Sequence, residues 1–355
     1  MKLPSVVDFA VKGKRVLLRT NYDVVLKKSE QLTANSEGSK KCHDDGGHCC
    51  GKCEHEHYEI EDTSRIDESL PTLKYLLGEG AQVTILSHLG RPEGKVVAQM
   101  SLKPVAEYLS KLLPGEKNCQ MRENLRFEEG EEKNYPGFAK ELADGYDFFV
   151  NDAFACAHRA HASIVGLPKL LPSAFGFDFL EEMDNLGKVM ERKEGTVVIL
   201  GGAKLDKLDV MEKLTKKVEW VLVGGLLPLK AKNMESGIRN LEIATLDESG
   251  KDITQGSIDK FKKIIAKAKT IVWAGPMGLY EEKEHEKGTK EIAEAVVNSG
   301  AFTIVGGGDT EAALRQYGLV HKINYISSGG GAMLEYLAKG TLPGIEAILK
   351  QKFSI

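Results

Sequence analysis

The chain has 355 residues, of which 42% are hydrophobic and 28% are charged, and its formal net charge is −4. This length exceeds what one hydrophobic core usually covers, so we expect two domains. The small negative charge argues against nucleic acid or an anionic membrane as partners, because both attract basic proteins. The sequence has no apolar run near 18 residues and no signal-peptide core at its start, which predicts a cytoplasmic protein.

Strand-like and helical patterns alternate along the first half. Strands are predicted over residues 15–20, 82–88 and 147–152, and helices over residues 67–78, 101–113 and 136–144. Such alternation indicates an α/β fold with parallel sheets covered by helices.

A Cys/His-rich insert at residues 36–57 interrupts this pattern. It contains Cys42, Cys49, Cys50, Cys53 and four histidines. The spacing of Cys50 and Cys53 is that of a zinc hairpin, and Cys42 or a histidine would complete a tetrahedral site. A solvated loop that takes up metal adventitiously is the alternative.

Arginine and histidine side chains follow the apolar runs of the first half. The set comprises Arg19, Arg65, His88, Arg91, Arg126, His158, Arg159 and His161. If they converge, they suit a small substrate with phosphate and carboxylate groups, since guanidinium binds both bidentately. Scattered surface ion pairs are the alternative for each arginine taken singly.

A proline-bearing stretch followed by an amphipathic helix separates the halves. We expect an N-terminal domain over residues 1–165, a connector helix over 166–195 and a second domain over 196–340. Residues 341–355 are expected to pack as a tail toward the first domain.

Glycine-rich turns dominate the second half, and four of the five directly follow an apolar strand-like run. They end the segments 197–204, 221–225, 271–278, 303–310 and 326–331. Glycine allows close backbone approach to a ligand, and the following helix directs free N–H groups toward negative charge. Five such turns in one α/β array predict a site for a polyphosphate nucleotide.

The order of the motifs resembles that of the phosphoglycerate kinase family. The chain contains, in sequence, KRVLLRTNYDV, SRIDESLPTLKYLL, SHLGRP, ENLRF, VNDAFACAHRAHAS, GGAK, WAGPMG, GGGDT and SSGGGAMLEYL. The resemblance implies two doubly wound, Rossmann-like parallel-sheet domains joined by a helix, with a hinge between them. It also implies magnesium-dependent phosphoryl transfer between ATP and 3-phosphoglycerate.

Site residues are implied wherever a motif matches. For phosphoglycerate binding these are Asn21, Asp23, Arg65, His88, Arg91, Arg126 and Arg159. For the chemical step they are Arg65, Lys204, Gly307 and Gly330. For ATP or ADP they are Lys204, Lys207, Gly275, Glu281, Gly306, Gly307, Gly308, Asp309 and Thr310, with Asp309 also near the magnesium.

Several positions depart from the family pattern. Asn21 and Asp23 exchange the family's aspartate and asparagine, and Ala274 replaces an asparagine. A one-residue deletion between Lys204 and Lys207 would rotate Lys207 by about 100° if both lay on one helix. The stretch between residues 113 and 123 is expected to have lost a strand and a helix.

Two classes of function remain open from the sequence. The favoured one is a monomeric ATP-dependent carboxylate kinase, and a kinase for a related small acid is a variant of it. The other is a non-catalytic relative that acts as a binding or metal-responsive regulatory protein. The retained Arg65, Lys204 and Asp309 favour the enzyme, because cations and a metal-directed carboxylate supply charge stabilisation.

Overall fold

The computed structural model describes residues 3–28, 58–191, 193–231 and 238–353. Cys42, Cys49, Cys50 and Cys53, with the rest of the 36–57 insert, lie outside these residues. None of the helices in the described ranges is long and apolar enough to cross a membrane.

The strands are short and carry mostly buried side chains. They are β1 (Arg15–Arg19), β2 (Leu26–Lys28), β3 (Tyr58–Ile60), β4 (Gln82–Leu86), β5 (Cys119–Met121), β6 (Phe148–Asn151), β7 (Ser173–Phe175), β8 (Thr196–Leu200), β9 (Trp220–Val223), β10 (Leu241–Ile243), β11 (Thr270–Ala274), β12 (Phe302–Gly306) and β13 (Tyr325–Ser327).

The helices fall between these strands. They are α1 (Ser64–Gly78), α2 (Lys103–Leu112), α3 (Glu129–Glu132), α4 (Pro136–Ala143), α5 (Phe177–Met190), α6 (Asp206–Thr215), α7 (Pro228–Ala231), α8 (Gln255–Ile265), α9 (Lys287–Asn298), α10 (Gly308–Gln316), α11 (Gly330–Lys339) and α12 (Pro343–Leu349). The predicted strands at β1, β4 and β6 and the predicted helices α1, α2 and α4 are confirmed.

Two parallel sheets organise the described chain. The first has the order β5-β4-β1-β6-β7 and the second β10-β9-β8-β11-β12-β13, while β2 and β3 form a separate antiparallel ribbon. In the first sheet the chain adds β4 and β5 on one side of β1 and then β6 and β7 on the other side. In the second sheet it adds β9 and β10 on one side of β8 and then β11, β12 and β13 on the other. This change of side is typical of doubly wound folds. The expected α/β class with two parallel sheets is therefore confirmed.

Two strands of the first sheet contradict sequence expectations. β5 pairs in parallel with β4, so the strand between residues 113 and 123 is retained; only the expected loss of a helix there agrees with the structure. β7 pairs with β6 and extends this sheet into the segment predicted as connector. Each strand has three residues, too few for a periodic pattern, and pairing with a buried neighbour stabilises it.

The connector helix α5 is amphipathic and joins two regions of the core. Phe179 packs with ring centroids 4.5 Å from Phe175 of β7 and 5.5 Å from Phe154. Further along the helix, Leu186 and Val189 belong to the same buried cluster as residues of β8 and α11.

The C-terminal helix α12 contacts the first half of the chain. The Gly344 amide in this helix donates a hydrogen bond to the Ala157 carbonyl at 2.9 Å.

A buried carboxyl group ties α5 to the second sheet. Oε1 of Glu182 accepts hydrogen bonds from the Ser328 amide at 2.7 Å and from the hydroxyls of Ser328 and Ser327 at 2.9 and 3.2 Å. Glu182 is fully buried, and this burial raises its pKa to about 7 despite the three donors. Because Ser328 follows β13, the contact links the connector to a glycine-rich turn.

This raised pKa predicts a pH-dependent contribution to stability. The folded state binds the Glu182 proton more tightly than the unfolded state, so stability is fully present below pH 4.5 and is lost as the pH rises to about 7. Compared with Glu182→Gln, the wild type should lose about 3 kcal/mol of unfolding free energy across this range. Urea denaturation of both proteins at several pH values measures the difference. If the unfolding free energies of the wild type and of Glu182→Gln changed in parallel with pH, the prediction would be contradicted.

Candidate active site

A cleft of about 430 Å³ lies between the two sheets, at the carboxyl ends of their strands. In open α/β sheets this is the edge where ligands bind, because loops and helix N-termini converge there. Residues from both halves of the chain line the cleft, so neither sheet forms it alone.

The first sheet contributes the predicted substrate-binding residues. All seven line the cleft: Asn21, Asp23, Arg65, His88, Arg91, Arg126 and Arg159. Five of them follow β1, β4 or β6, Arg65 lies in the first turn of α1, and Arg126 is in a short turn after β5. The alternative of scattered surface ion pairs is therefore wrong for this group.

Asp23 and the arginines are partly held by backbone groups. The Asp23 carboxylate accepts the Gly90 amide at 2.8 Å, and its carbonyl accepts a hydrogen bond from Arg65. Arg126 donates to the Gly90 carbonyl at 2.7 Å. The exchanged aspartate side chain thus holds the turn after β4, while the main-chain carbonyl of the same residue contacts Arg65.

Two of the first-half cations lie behind the cleft lining. Arg19 is fully buried and contacts Ser163, Thr20 and His88. His161 is also buried, and burial lowers its pKa to about 3. The set of eight therefore converges in part: the other six residues line the cleft, whereas Arg19 and His161 lie behind it.

The second sheet presents its glycine turns to the same cleft. Gly202, Gly275, Gly306, Gly307, Gly308 and Gly330 line it and follow β8, β11, β12 and β13. A Cβ atom on Gly275 would lie 2.2 Å from the Gly201 carbonyl oxygen, and one on Gly330 would lie 2.8 Å from the Gly307 nitrogen. These turns therefore pack backbone against backbone, which leaves amides and helix N-termini for a ligand.

Two lysines enter the cleft from the turn between β8 and α6. Lys204 is exposed in the turn and precedes the helix, whereas Lys207 lies in its first turn. The predicted 100° rotation is wrong, because the two residues do not share a helix. Nζ of Lys207 donates to the carbonyls of Gly201 at 2.7 Å and Ala274 at 3.0 Å. Burial lowers the pKa of Lys207 to about 8.

Asp309 and Thr310 begin helix α10 at the turn after β12. Asp309 is exposed and lines the cleft, while the buried Thr310 hydroxyl accepts the Gly275 amide at 2.6 Å. One carboxylate beside the backbone amides of a helix N-terminus would suit Mg²⁺, which takes few protein ligands when phosphates supply the rest. Over the described ranges, no three His, Cys, Asp or Glu side chains are grouped to hold a metal ion by themselves.

The lining also includes residues that the sequence did not single out. Asp206 and Glu335 bring negative charge to the second-sheet side, and Gly329 packs so closely that a Cβ would lie 2.6 Å from Cα of Ala155. The position of Asp206 next to Lys207 in the GGAKLDK segment is the sequence feature that could have identified Asp206 as a lining residue. Glu281 is exposed and is not part of the lining, so its ribose contact stays a prediction.

Comparisons with known proteins agree with this architecture. A family model described as phosphoglycerate kinase matches residues 53–122, 114–247 and 229–340. The phosphoglycerate kinase of Finegoldia magna is 36% identical over 421 residues, covering 98% of this chain and 99% of the relative. That of Solibacter usitatus is 37% identical over 413 residues, covering 98% and 100%. The solved phosphoglycerate kinase structure from Coxiella burnetii has a TM-score of 0.75 and 29% identity, covering 99% and 100%.

Proposed function

The chain belongs to the phosphoglycerate kinase family, and we propose that its interdomain cleft is where the family reaction takes place. The reaction is the reversible transfer of a phosphoryl group between ATP and 3-phosphoglycerate, which gives ADP and 1,3-bisphosphoglycerate and uses magnesium. The observation that carries the site proposal is the cleft itself, where an arginine-rich face opposes a face of glycine turns and lysines. Nothing in the comparisons favours a non-catalytic relative.

The first-sheet face is proposed to bind the phosphoglycerate. Arg65, Arg91, Arg126 and Arg159 offer planar donor groups that match phosphate and carboxylate oxygens. Asn21 and His88 add neutral donors, and Asp23 holds the turn after β4 in place. The acceptor carboxylate would then point toward the second sheet.

The second-sheet face is proposed to bind the nucleotide. The backbone amides from Gly306 at the end of β12 to Gly308 at the start of α10 suit the phosphates, while Gly330 packs against Gly307 of the neighbouring turn. Asp309 would hold the magnesium, which neutralises charge on the nucleotide phosphates when bound. Lys207 supports the Gly275 turn through its two carbonyl contacts, and Glu281 is proposed for the ribose.

Phosphoryl transfer asks mainly for alignment and charge stabilisation. Lys204 from the second face and Arg65 from the first are proposed to act on the transferring group, with the amides of Gly307 and Gly330 nearby. No nucleophilic side chain is required, since the substrate carboxylate attacks directly. Arg65 lies in α1 in the first half of the chain and Lys204 follows β8 of the second sheet, so the complete site requires both halves.

A coupled assay with 3-phosphoglycerate, ATP and magnesium tests this function directly. We expect turnover that depends on all three components. Calorimetry on the same sample should detect binding of ATP or ADP with magnesium. An absence of both turnover and nucleotide binding would contradict the proposal.

Substrate binding is expected to bring the two sheets together about α5. Reacting oxygens must come within about 3–3.5 Å in line, with water excluded. Small-angle scattering should give a smaller radius of gyration with both ligands than with either alone. An unchanged radius in a sample shown to hold both ligands would argue against this closure.

Further proposals concern organisation and the insert. We propose domain boundaries at 1–165 and 196–340, with 166–195 as a connector whose strand β7 completes the first sheet, 341–355 as the tail, and a monomer in the cytoplasm. Zinc binding by Cys42, Cys49, Cys50 and Cys53 stays a prediction, to which the described residues add no support. Metal analysis of protein purified without an affinity tag tests it, and sedimentation tests the monomer.

A further inference from the structure

A buried chain of hydrogen bonds runs from α3 to the cleft. The Glu131 carboxylate accepts the Ser163 hydroxyl at 2.6 Å and the Ser163 amide at 2.9 Å. The Ser163 oxygen in turn accepts Nε–H of Arg19 at 2.9 Å, and Nη2 of Arg19 lies 3.2 Å from Nδ1 of His88. Glu131, Ser163 and Arg19 are fully buried, while His88 is 3% exposed and lines the cleft.

The chemistry of each group fixes the direction of this chain. A guanidinium has five N–H donors and no acceptor, so Nδ1 of His88 must accept from Arg19. An imidazole nitrogen that accepts carries no proton, and the single proton of the neutral ring therefore lies on Nε2. The Ser163 hydroxyl donates its proton to Glu131, so the serine oxygen can accept a hydrogen bond from Arg19.

We propose that Arg19 is a positioning residue that holds His88 as the neutral Nε2–H tautomer. His88 then binds the phosphoglycerate as a neutral hydrogen-bond donor and does not add a cation to the arginine-rich face. The identity of the ligand rests on the proposed function, whereas the tautomer rests on the hydrogen-bond chain alone.

The surroundings of His88 agree with a neutral ring. Burial, followed by the charge of Arg19, lowers its pKa well below the usual range. Its Nε2 lies 3.8 Å from Sγ of Cys156, which is a weak partner that leaves this proton available. The other groups that act on it electrostatically are Arg126, His161 and Arg65.

The Glu131 carboxylate is linked to His88 through Ser163 and Arg19, and it also lies 3.8 Å from Nδ1 of His161. It compensates the buried guanidinium, which would otherwise be costly in the core. Because a guanidinium offers only N–H donors, Arg19 keeps donating to Nδ1. Protonation of that nitrogen would place two cationic donors against each other, which explains why the ring stays neutral.

Nitrogen NMR on the full chain labelled with ¹⁵N-histidine reads the tautomer directly. The His88 signals are identified as those lost in His88→Gln. We expect an unprotonated Nδ1 and a protonated Nε2 at pH 7 and, because burial lowers the pKa of this ring, no doubly protonated form at that pH. A doubly protonated ring at pH 7, or a proton on Nδ1, would overturn the proposal.

Substitution of Arg19 tests the positioning role. In Arg19→Met we expect the His88 ring to lose its fixed tautomer, with protons shared between Nδ1 and Nε2, and KM for 3-phosphoglycerate to rise roughly tenfold at pH 8. Arg19→Lys keeps a cationic donor and should retain most of the Nε2–H signal. Arg15→Met removes an exposed arginine from the same strand and should leave both readouts unchanged.

The possible results distinguish a failure of the His88 assignment from a failure of the proposed function, which supplies the identity of the ligand. An Arg19→Met protein with an unchanged His88 tautomer and an unchanged KM for 3-phosphoglycerate would contradict the positioning role. If that variant does not fold, the wild-type spectra and Arg19→Lys still decide the matter. A wild type that is inactive in the coupled assay would contradict the proposed function, while the spectra still test the assignment of His88.

Discussion

Replacing Lys204 with alanine is expected to lower kcat by about a thousandfold, while ADP still binds measurably. Lys204 lies in the turn between β8 and α6, lines the cleft and is exposed to it, so its removal should not disturb the core. The loss arises because negative charge on the transferring group is left without this cation. Single-turnover rates and calorimetry measure the two effects.

Two further variants serve as comparisons for Lys204→Ala. Lys213→Ala removes an exposed lysine from helix α6 outside the cleft lining and should leave kcat unchanged. Asp309→Ala should instead weaken binding of the magnesium nucleotide, because its proposed partner is the metal. A Lys204→Ala protein with wild-type kcat would remove this lysine from the chemical step.

Replacing Arg65 with alanine is expected to lower kcat by roughly a hundredfold and to raise KM for 3-phosphoglycerate much less. Arg65 lies in the first turn of α1, lines the cleft and is held by the Asp23 carbonyl. A group that acts mainly in the transition state affects kcat more than substrate binding. Steady-state kinetics with 3-phosphoglycerate as the varied substrate measures both constants.

The control for Arg65 lies on the same helix. Lys74 is exposed and outside the cleft lining, so Lys74→Ala should change neither constant. Arg65→Lys keeps the charge but loses the planar donor fork, and we expect it to recover only part of the activity. A change confined to KM in Arg65→Ala would show that this arginine only binds substrate.

Much of the architecture follows from local sequence patterns. β1, β4 and β6 are apolar runs because both faces of a parallel sheet are covered, and such runs are visible without coordinates. The glycine turns are equally visible, since close backbone packing after a strand admits no side chain. The ordered motifs also identified the family, because many short matches in one order are jointly specific.

Other features depended on contacts between distant segments. β5 and β7 have three residues each and exist through pairing with β4 and β6, which no local pattern reveals. The positions of Lys204 and Lys207 likewise required knowing where α6 begins. For the two strands, the stabilising hydrogen bonds come from segments that are distant in sequence.

The sequence alone determined which residue types reach the cleft, since the carboxyl ends of parallel strands share one edge. It did not determine the state of each group, because burial and hydrogen-bond direction arise only when the chain is packed. Arg19 and Arg65 are indistinguishable as arginines in the sequence, yet Arg19 is fully buried against Ser163 and His88, and Arg65 lines the cleft. The tertiary structure decided that difference, since it sets which donors meet which acceptors.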